Sequence, residues 1–225
     1  MNNDSLWEDI FSTREWGKYP PEELIRFVAR NYYSASPREE VHLLEVGCGA
    51  GANVWYMARE RFAVHGVDGS SSAIRKANKR LQDEKLKADL RVGDITQVKS
   101  LFASSLLFDG IVDVCCLQCN RLKVVDQVIG DCWQMLKPGG KFFTMLLAEG
   151  SYGSQLGEEV EPGSVVNISA GPLKGMGLNH FFTLQEVHDL FRAYCEVRIE
   201  YSLWSLNNMQ ETFKHWIVVA TKPQE

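Results

Sequence analysis

Residues 43 to 51 read Leu43-Leu44-Glu45-Val46-Gly47-Cys48-Gly49-Ala50-Gly51, and a second strand-like run ends at Gly66-Val67-Asp68-Gly69. A short apolar strand thus runs into three glycines at alternate positions. Without a Cβ, that backbone can turn sharply and approach a ligand closely. The segment from Asn53 to Glu60 reads as a helix, whose first amides would face the same ligand. A carboxylate at the tip of the second strand is placed to accept hydrogen bonds from a ribose diol. The pair describes a nucleoside-containing ligand at the carboxyl edge of a parallel sheet.

The rest of the chain repeats that rhythm. Strands are expected at His42–Val46, Ala63–Asp68, Asp89–Gly93, Gly110–Cys116 and Lys141–Ala148, with two more at Val197–Ser205 and His215–Thr221. Helices are expected between them, at Asn53–Arg61, Ser71–Glu84, Gln97–Ser104 and Val124–Leu136, and from the capping box Thr183-Leu184-Gln185-Glu186 to about Tyr194. Strands apolar on both faces that alternate with helices predict an α/β fold with a doubly wound, mostly parallel seven-stranded sheet. Asn207-Asn208 suits a turn, so the last strand is expected to be antiparallel. At 225 residues and 45% hydrophobic content, one domain is expected over 1–225. Residues 1–40 are aromatic-rich and form a helical cap, with a helix starting at Pro20-Pro21-Glu22-Glu23. Residues 149–180, with seven glycines before residue 179, read as an inserted lid loop.

The net charge of −5, with no dense Lys/Arg stripe, argues against a nucleic-acid partner. No run is long and apolar enough for a membrane span, and the N-terminus lacks a secretory pattern. Six cysteines without framework spacing suggest reduced thiols in the cytoplasm. The spacing does not choose between a monomer and a homodimer.

A phosphate loop of the Gly-x-x-x-x-Gly-Lys type is absent, and Gly-x-Gly-x-Gly is not the dinucleotide spacing. Further motifs complete the pattern: Val92-Gly93-Asp94-Ile95 after the third strand, Phe108-Asp109 opening the fourth, and Leu136-Lys137-Pro138-Gly139-Gly140 before the fifth. With Glu45-x-Gly47-x-Gly49-x-Gly51 and Asp68, the chain resembles the class I S-adenosylmethionine-dependent methyltransferases. The resemblance is strong over roughly residues 40 to 150. It implies a Rossmann-like methyltransferase fold with S-adenosyl-L-methionine as cofactor, and methyl transfer to an O, N or S atom of a small-molecule acceptor. A SAM-binding module without catalysis and an NAD(P)-dependent oxidoreductase are the alternatives.

Carried over by residue, the resemblance implies that Glu45, Gly47, Cys48, Gly49 and Gly51 lie against the methionine part of the cofactor. Glu45 alternatively orders the glycine loop. Asp68, followed by Gly69, holds the ribose hydroxyls. Asp94 binds the adenine amino group, Ile95 packs on the ring, and the backbone at Val114 and Cys115 meets the ammonium. In similar enzymes the N-terminal segment folds over the cofactor, which would bring in Trp16 and Lys18; an aromatic core patch with a surface lysine is the alternative.

Three side chains are candidates for catalysis. His180 either orients or deprotonates an acceptor, or packs against the next helix. Glu149 ends the fifth strand and is either site-facing or a solvated loop acid. Cys119 stands where many small-molecule relatives carry histidine, and either faces the substrate as a thiol, binds a soft metalloid, or is structural. Adjacent strand residues point to opposite faces, so Cys115 and Cys116 are poorly placed to share a metal, and no metal site is expected. No Asn/Asp-Pro-Pro-Tyr follows the fourth strand, which argues against base methylation.

Overall fold

The computed structural model describes residues 3–224, with no description of the Asn3 and Asp4 side chains. Its main sheet contains β1 (His42–Val46), β2 (Ala63–Asp68), β3 (Asp89–Val92), β4 (Phe108–Val114), β5 (Leu136–Leu147), β9 (Cys195–Leu206) and β10 (Glu211–Thr221). Their order is β3-β2-β1-β4-β5-β10-β9. β1 to β5 pair in parallel, and β10 runs antiparallel to both β5 and β9. The mostly parallel seven-stranded expectation with an antiparallel last strand therefore holds. Asn207 and Asn208, both with left-handed φ (50° and 55°), turn β9 into β10.

Consecutive apolar residues in the strands serve opposite faces. Leu44, Ile111 and Phe142 pack against α6 (Leu122–Met135) and α7 (Leu184–Leu190) through Val128, Ile129, Val187 and Leu190. Leu43, Val112 and Phe143 pack instead on α2 (Glu22–Tyr32), α3 (Ala52–Arg59) and α4 (Ser71–Asp83). This pairing explains why the central strands are apolar throughout rather than alternating. Burying each Leu or Phe of this kind stabilises the fold by ~1.5–3 kcal/mol. The helix starts are local: Thr183 and Glu186 close the expected capping box at α7, and Ser70 Oγ accepts the Ala73 N–H at α4.

Several boundaries move. β5 begins at Leu136, because Pro138-Gly139-Gly140 passes through a left-handed Gly139 (φ 74°) without ending the strand. The expected helix over Gln97–Ser104 is one turn, α5 (Val98–Leu101), preceded by a 3-10 turn at Ile95–Gln97. α7 stops at Leu190 rather than near Tyr194. The largest difference lies in residues 149–180. They contain a small antiparallel sheet, β6 (Glu158–Glu161), β7 (Ser164–Val166) and β8 (Asn179–His180). Strands of two to four residues are too short to leave a period in the sequence. The segment packs on Leu147 and Phe213 through Val165, Ile168, Leu173 and Phe181.

The strand order reverses between β1 and β4, where Val46 stands in register with Val67 on one side and Asp113 on the other. Loops leaving these carboxyl ends diverge and leave a crevice, as expected at a topological switch point. The N-terminal helix α1 (Asn3–Thr13) packs on α4 across this crevice.

Candidate functional site

The crevice holds a cavity of about 370 Å³. Its floor is the glycine turn. Gly47 (φ 68°) and Gly49 (φ 50°) both adopt the left-handed conformation. A Cβ on Gly47 would stand 2.1 Å from Cys116 Sγ, and one on Gly49 would stand 3.0 Å from the Phe11 ring. Glycine is thus required here by conformation and by space. The turn is fastened to the neighbouring strand: Asp68 accepts the Gly49 N–H through Oδ2 and the Ser70 N–H through Oδ1, each at 2.8 Å.

Three carboxyl groups line the cavity, Glu45, Asp68 and Asp94. Asn53 Nδ2 donates to Glu45 Oε1 at 2.6 Å. Glu45 Oε2 and Asn53 Oδ1 are buried without a hydrogen-bond partner. Burial pushes the Glu45 carboxyl well above the carboxylate range, against the pull of the Asn53 bond. Buried acceptors left open beside a cavity are places where a ligand's donors belong. Among the described residues lining the cavity there is no Lys, Arg or His. The wall therefore suits a ligand with positive charge and hydroxyl donors.

The far wall comes from the end of β4. Asp113 is fully buried and accepts the Cys116 and Leu117 N–H groups at 3.0 Å each through Oδ1, and the Thr144 hydroxyl at 2.5 Å through Oδ2. Burial raises its pKa to about 7. These bonds fix a turn in which Cys115 takes a left-handed φ of 61°. Cys115, Cys116, Cys119 and Cys48 all reach the cavity. Burial pushes the Cys119 thiol up to about 12 and the others well above their ordinary value, so the thiols stay protonated at neutral pH. Among the described residues no three of His, Cys, Asp and Glu stand together so as to hold a metal ion.

The roof is aromatic. Trp7, Phe11 and Trp16 form a mutual cluster with ring centroids 5.3–5.9 Å apart, and Tyr19 and Pro21 continue it. Glu8, the residue after Trp7 on α1, clamps this helix to the start of α4. Its carboxylate accepts the Ser70 hydroxyl at 2.6 Å, the Ser72 hydroxyl at 2.5 Å and the Ser72 N–H at 3.0 Å. Those bonds hold the Glu8 pKa down to about 2. Lys76 Nζ donates to the Arg14 carbonyl at 2.8 Å and extends the clamp.

Of the residues singled out in the sequence, Glu45, Gly47, Cys48, Gly49, Asp68, Gly69, Asp94, Ile95, Val114, Cys115, Trp16 and Cys119 meet at this cavity. Others do not. His180 is fully buried between Ser164 Oγ (2.8 Å) and the Phe182 ring (4.4 Å), outside the cavity wall, and packs the small sheet instead of facing a ligand. Glu149 is exposed, with its N–H bonded to the Phe182 carbonyl, because the chain turns away at the end of β5. Lys18 points outward and offers its carbonyl to Arg80. Gly51 caps α3 rather than lining the cavity. No side chain of residues 149–180 lines it either; the cover is N-terminal. Trp7, Phe11, Asn53 and Asn120 also belong to the wall and are not among the sequence's candidates, and Cys116, weighed there only as a metal ligand, joins them. The four-residue spacing of Trp7 and Phe11 was the available signal for two of them.

Residues 43–140 match a family model described as a methyltransferase domain. The ubiquinone biosynthesis O-methyltransferase of Coxiella burnetii is 30% identical over 128 residues, covering 56% of this chain and 53% of that protein. The chain spans about half the length of the curated relatives it matches. Among solved structures, a SAM-dependent methyltransferase from Methanosarcina mazei superposes with a TM-score of 0.66 at 22% identity, covering 88% of this chain and 98% of that one. A Haemonchus contortus phosphoethanolamine N-methyltransferase with bound S-adenosylhomocysteine gives a TM-score of 0.68 at 17% identity, covering 98% and 57%.

Proposed function

We propose that the chain is a class I S-adenosylmethionine-dependent methyltransferase that binds S-adenosyl-L-methionine in the crevice between β1 and β4 and methylates a small-molecule acceptor there; the match of residues 43–140 to a methyltransferase-domain family supports this. The observation that carries this is the row of carboxyl groups on the cavity wall, with Glu45 Oε2 and Asn53 Oδ1 buried and unpartnered. The cofactor brings an ammonium and a sulfonium, and its methyl carbon is already activated toward displacement. Glu45 and Asn53 serve the ammonium, Asp68 the ribose hydroxyls, and Asp94 with Ile95 the adenine. Gly47 and Gly49 let the backbone approach.

In-line displacement asks the protein mainly to align the acceptor and to keep water out. The aromatic roof of Trp7, Phe11, Trp16 and Tyr19 supplies the exclusion. The acceptor enters between this roof and the turn holding Cys115, Cys119 and Asn120. The acceptor atom is O, N or S, and the O-methyltransferase names among the relatives support oxygen. The acidic composition supports a small molecule over nucleic acid, and the cysteine usage supports the cytoplasm. Among the described residues no helix is long and apolar enough to cross a membrane.

Calorimetric titration with S-adenosylmethionine and with NADH tests the reading. Binding of the first with release of S-adenosylhomocysteine in the presence of an acceptor is expected. Binding of NADH alone would overturn it, and tight SAM binding with no turnover on any cell extract would leave a binding module.

A further inference from the structure

Beyond the methyl donor, the far wall carries a pair that the proposed reaction does not yet use. Cys115 Sγ stands 3.5 Å from Nε2 of His215, on the adjacent face of β10. The left-handed φ of Cys115 and the Asp113 bonds beneath it fix the direction of its thiol. A non-glycine residue held in that conformation is strained, and such residues recur where a side chain must be aimed. His215 is only 4% exposed and lies flat against the Trp204 ring, with centroids 5.3 Å apart at 28°. Its Nδ1 is buried without a partner. Around it stand Cys115 from the turn after β4, Trp204 from β9, Phe213 from its own strand, and Glu23 from α2, whose charge acts on both His215 and Cys115.

We propose that Cys115 and His215 form a proton-receiving pair in the acceptor subsite, and that the acceptor is an uncharged hydroxyl or thiol compound. The proposal rests on the methyltransferase reading above and deepens it. The acceptor class follows from the wall: among its described residues no cation is available to hold a phosphate or carboxylate.

The acceptor atom uses its lone pair to bond the methyl carbon, while the departing sulfur keeps the carbon–sulfur electron pair and becomes a neutral thioether. The acceptor's X–H bond breaks and its proton passes to Cys115 Sγ. The Cys115 S–H proton passes to Nε2 of His215, giving an imidazolium in the field of Glu23, which later releases the proton to solvent. One proton leaves per methyl transferred. A weak base suffices, because an oxygen or sulfur that has gained a methyl while keeping its proton is strongly acidic. Burial lowers His215 to about 4, so its ring is neutral and able to accept at neutral pH. His215 acts through Cys115 and is a positioning residue; Cys115 is the group that touches the acceptor.

The test uses the full chain with catechol and thiophenol as neutral probes and phosphoethanolamine as the charged one. His215→Phe keeps a ring against Trp204 and removes both nitrogens. Its kcat on catechol should fall roughly 100-fold, as general-base loss does, with KM and SAM affinity unchanged. The infrared S–H stretch of Cys115, assigned by its loss in Cys115→Ala, should move to higher frequency. Cys115→Ser, which can still relay a proton, should retain more turnover than Cys115→Ala; this comparison decides if His215→Phe does not fold. An unmoved S–H band, wild-type turnover in His215→Phe, a preference for phosphoethanolamine, or a wild type that binds SAM and methylates neither neutral probe overturns the pair. A wild type that does not bind SAM overturns the reading beneath it instead.

Discussion

Asp68 Oδ2 accepts the backbone N–H of Gly49 at 2.8 Å, joining the tip of β2 to the glycine turn after β1. One carboxylate thus shapes the loop and lines the cavity. Asp68→Ala removes the turn's anchor together with the acceptor proposed for the ribose. We expect SAM affinity to fall by ~1–3 kcal/mol, the range for a buried donor left unsatisfied plus a lost polar contact. Isothermal titration measures it; unchanged affinity would remove Asp68 from the site.

Gly47→Ala tests the floor. The left-handed conformation alone costs an alanine ~1–2 kcal/mol, and the new Cβ would overlap Cys116 Sγ. We expect loss of SAM binding and a lowered melting temperature. Adding Cys116→Gly should restore part of the stability, because it removes both the Sγ and the Cβ, 2.1 and 2.3 Å from the new methyl, while leaving the conformational strain at residue 47. If Gly47→Ala binds SAM like the wild type, the tight turn is not needed.

The Glu8 clamp carries a pH signature. Its folded pKa, about 2, lies below the unfolded value near 4.5. The unfolded chain therefore binds the extra proton as pH falls. The stability that Glu8 contributes is full above about 4.5 and fades toward about 2. Glu8→Gln should release α1, speed SAM dissociation at neutral pH, and lower the melting temperature by an amount that vanishes in acid. Stopped-flow release and melts at several pH values check this. A difference that persists at low pH would mean that packing, not charge, holds the helix.

His180→Ala should behave as a core mutation. The ring is fully buried and bonded to Ser164, so its loss should cost ~2–3 kcal/mol in urea denaturation. SAM affinity should not change. Unaltered stability with a selective loss of turnover would return His180 to the chemistry.

Most of the residues proposed to hold the methyl donor line one cavity, and they were legible because local signals mark them. Gly47 and Gly49 occupy left-handed positions that the sequence can advertise, and Asp68 and Asp94 follow strands whose length and apolarity are plain. The capping box at Thr183 and the turn at Asn207-Asn208 are local in the same way. The cover was harder. Tryptophans and phenylalanines near the N-terminus read equally as core or lid, and nothing near Glu8 announces that its partners are Ser70 and Ser72, more than sixty residues away. Residues 149–180 read as a loop because glycine-rich sequence conceals strands of two to four residues; their apolar residues pack on Leu147 and Phe213.

By itself, the sequence determined the α/β class, the mostly parallel seven-stranded sheet with its antiparallel last strand, and the residues proposed to hold the methyl donor. Those rest on periodicity, on residues that must tolerate unusual φ, and on motifs a few residues long. Only the tertiary structure, and the strand order it sets, decided which side chains meet on the far wall of the cavity. His215 meets Cys115 across 100 positions, through the antiparallel insertion of β10 beside β5. His180, which the sequence leaves open to an acceptor role or to packing, is fully buried in a small sheet. Long-range packing chooses which polar side chains face a cavity and which are buried beside one another, and short-range patterns along the chain carry no record of that choice.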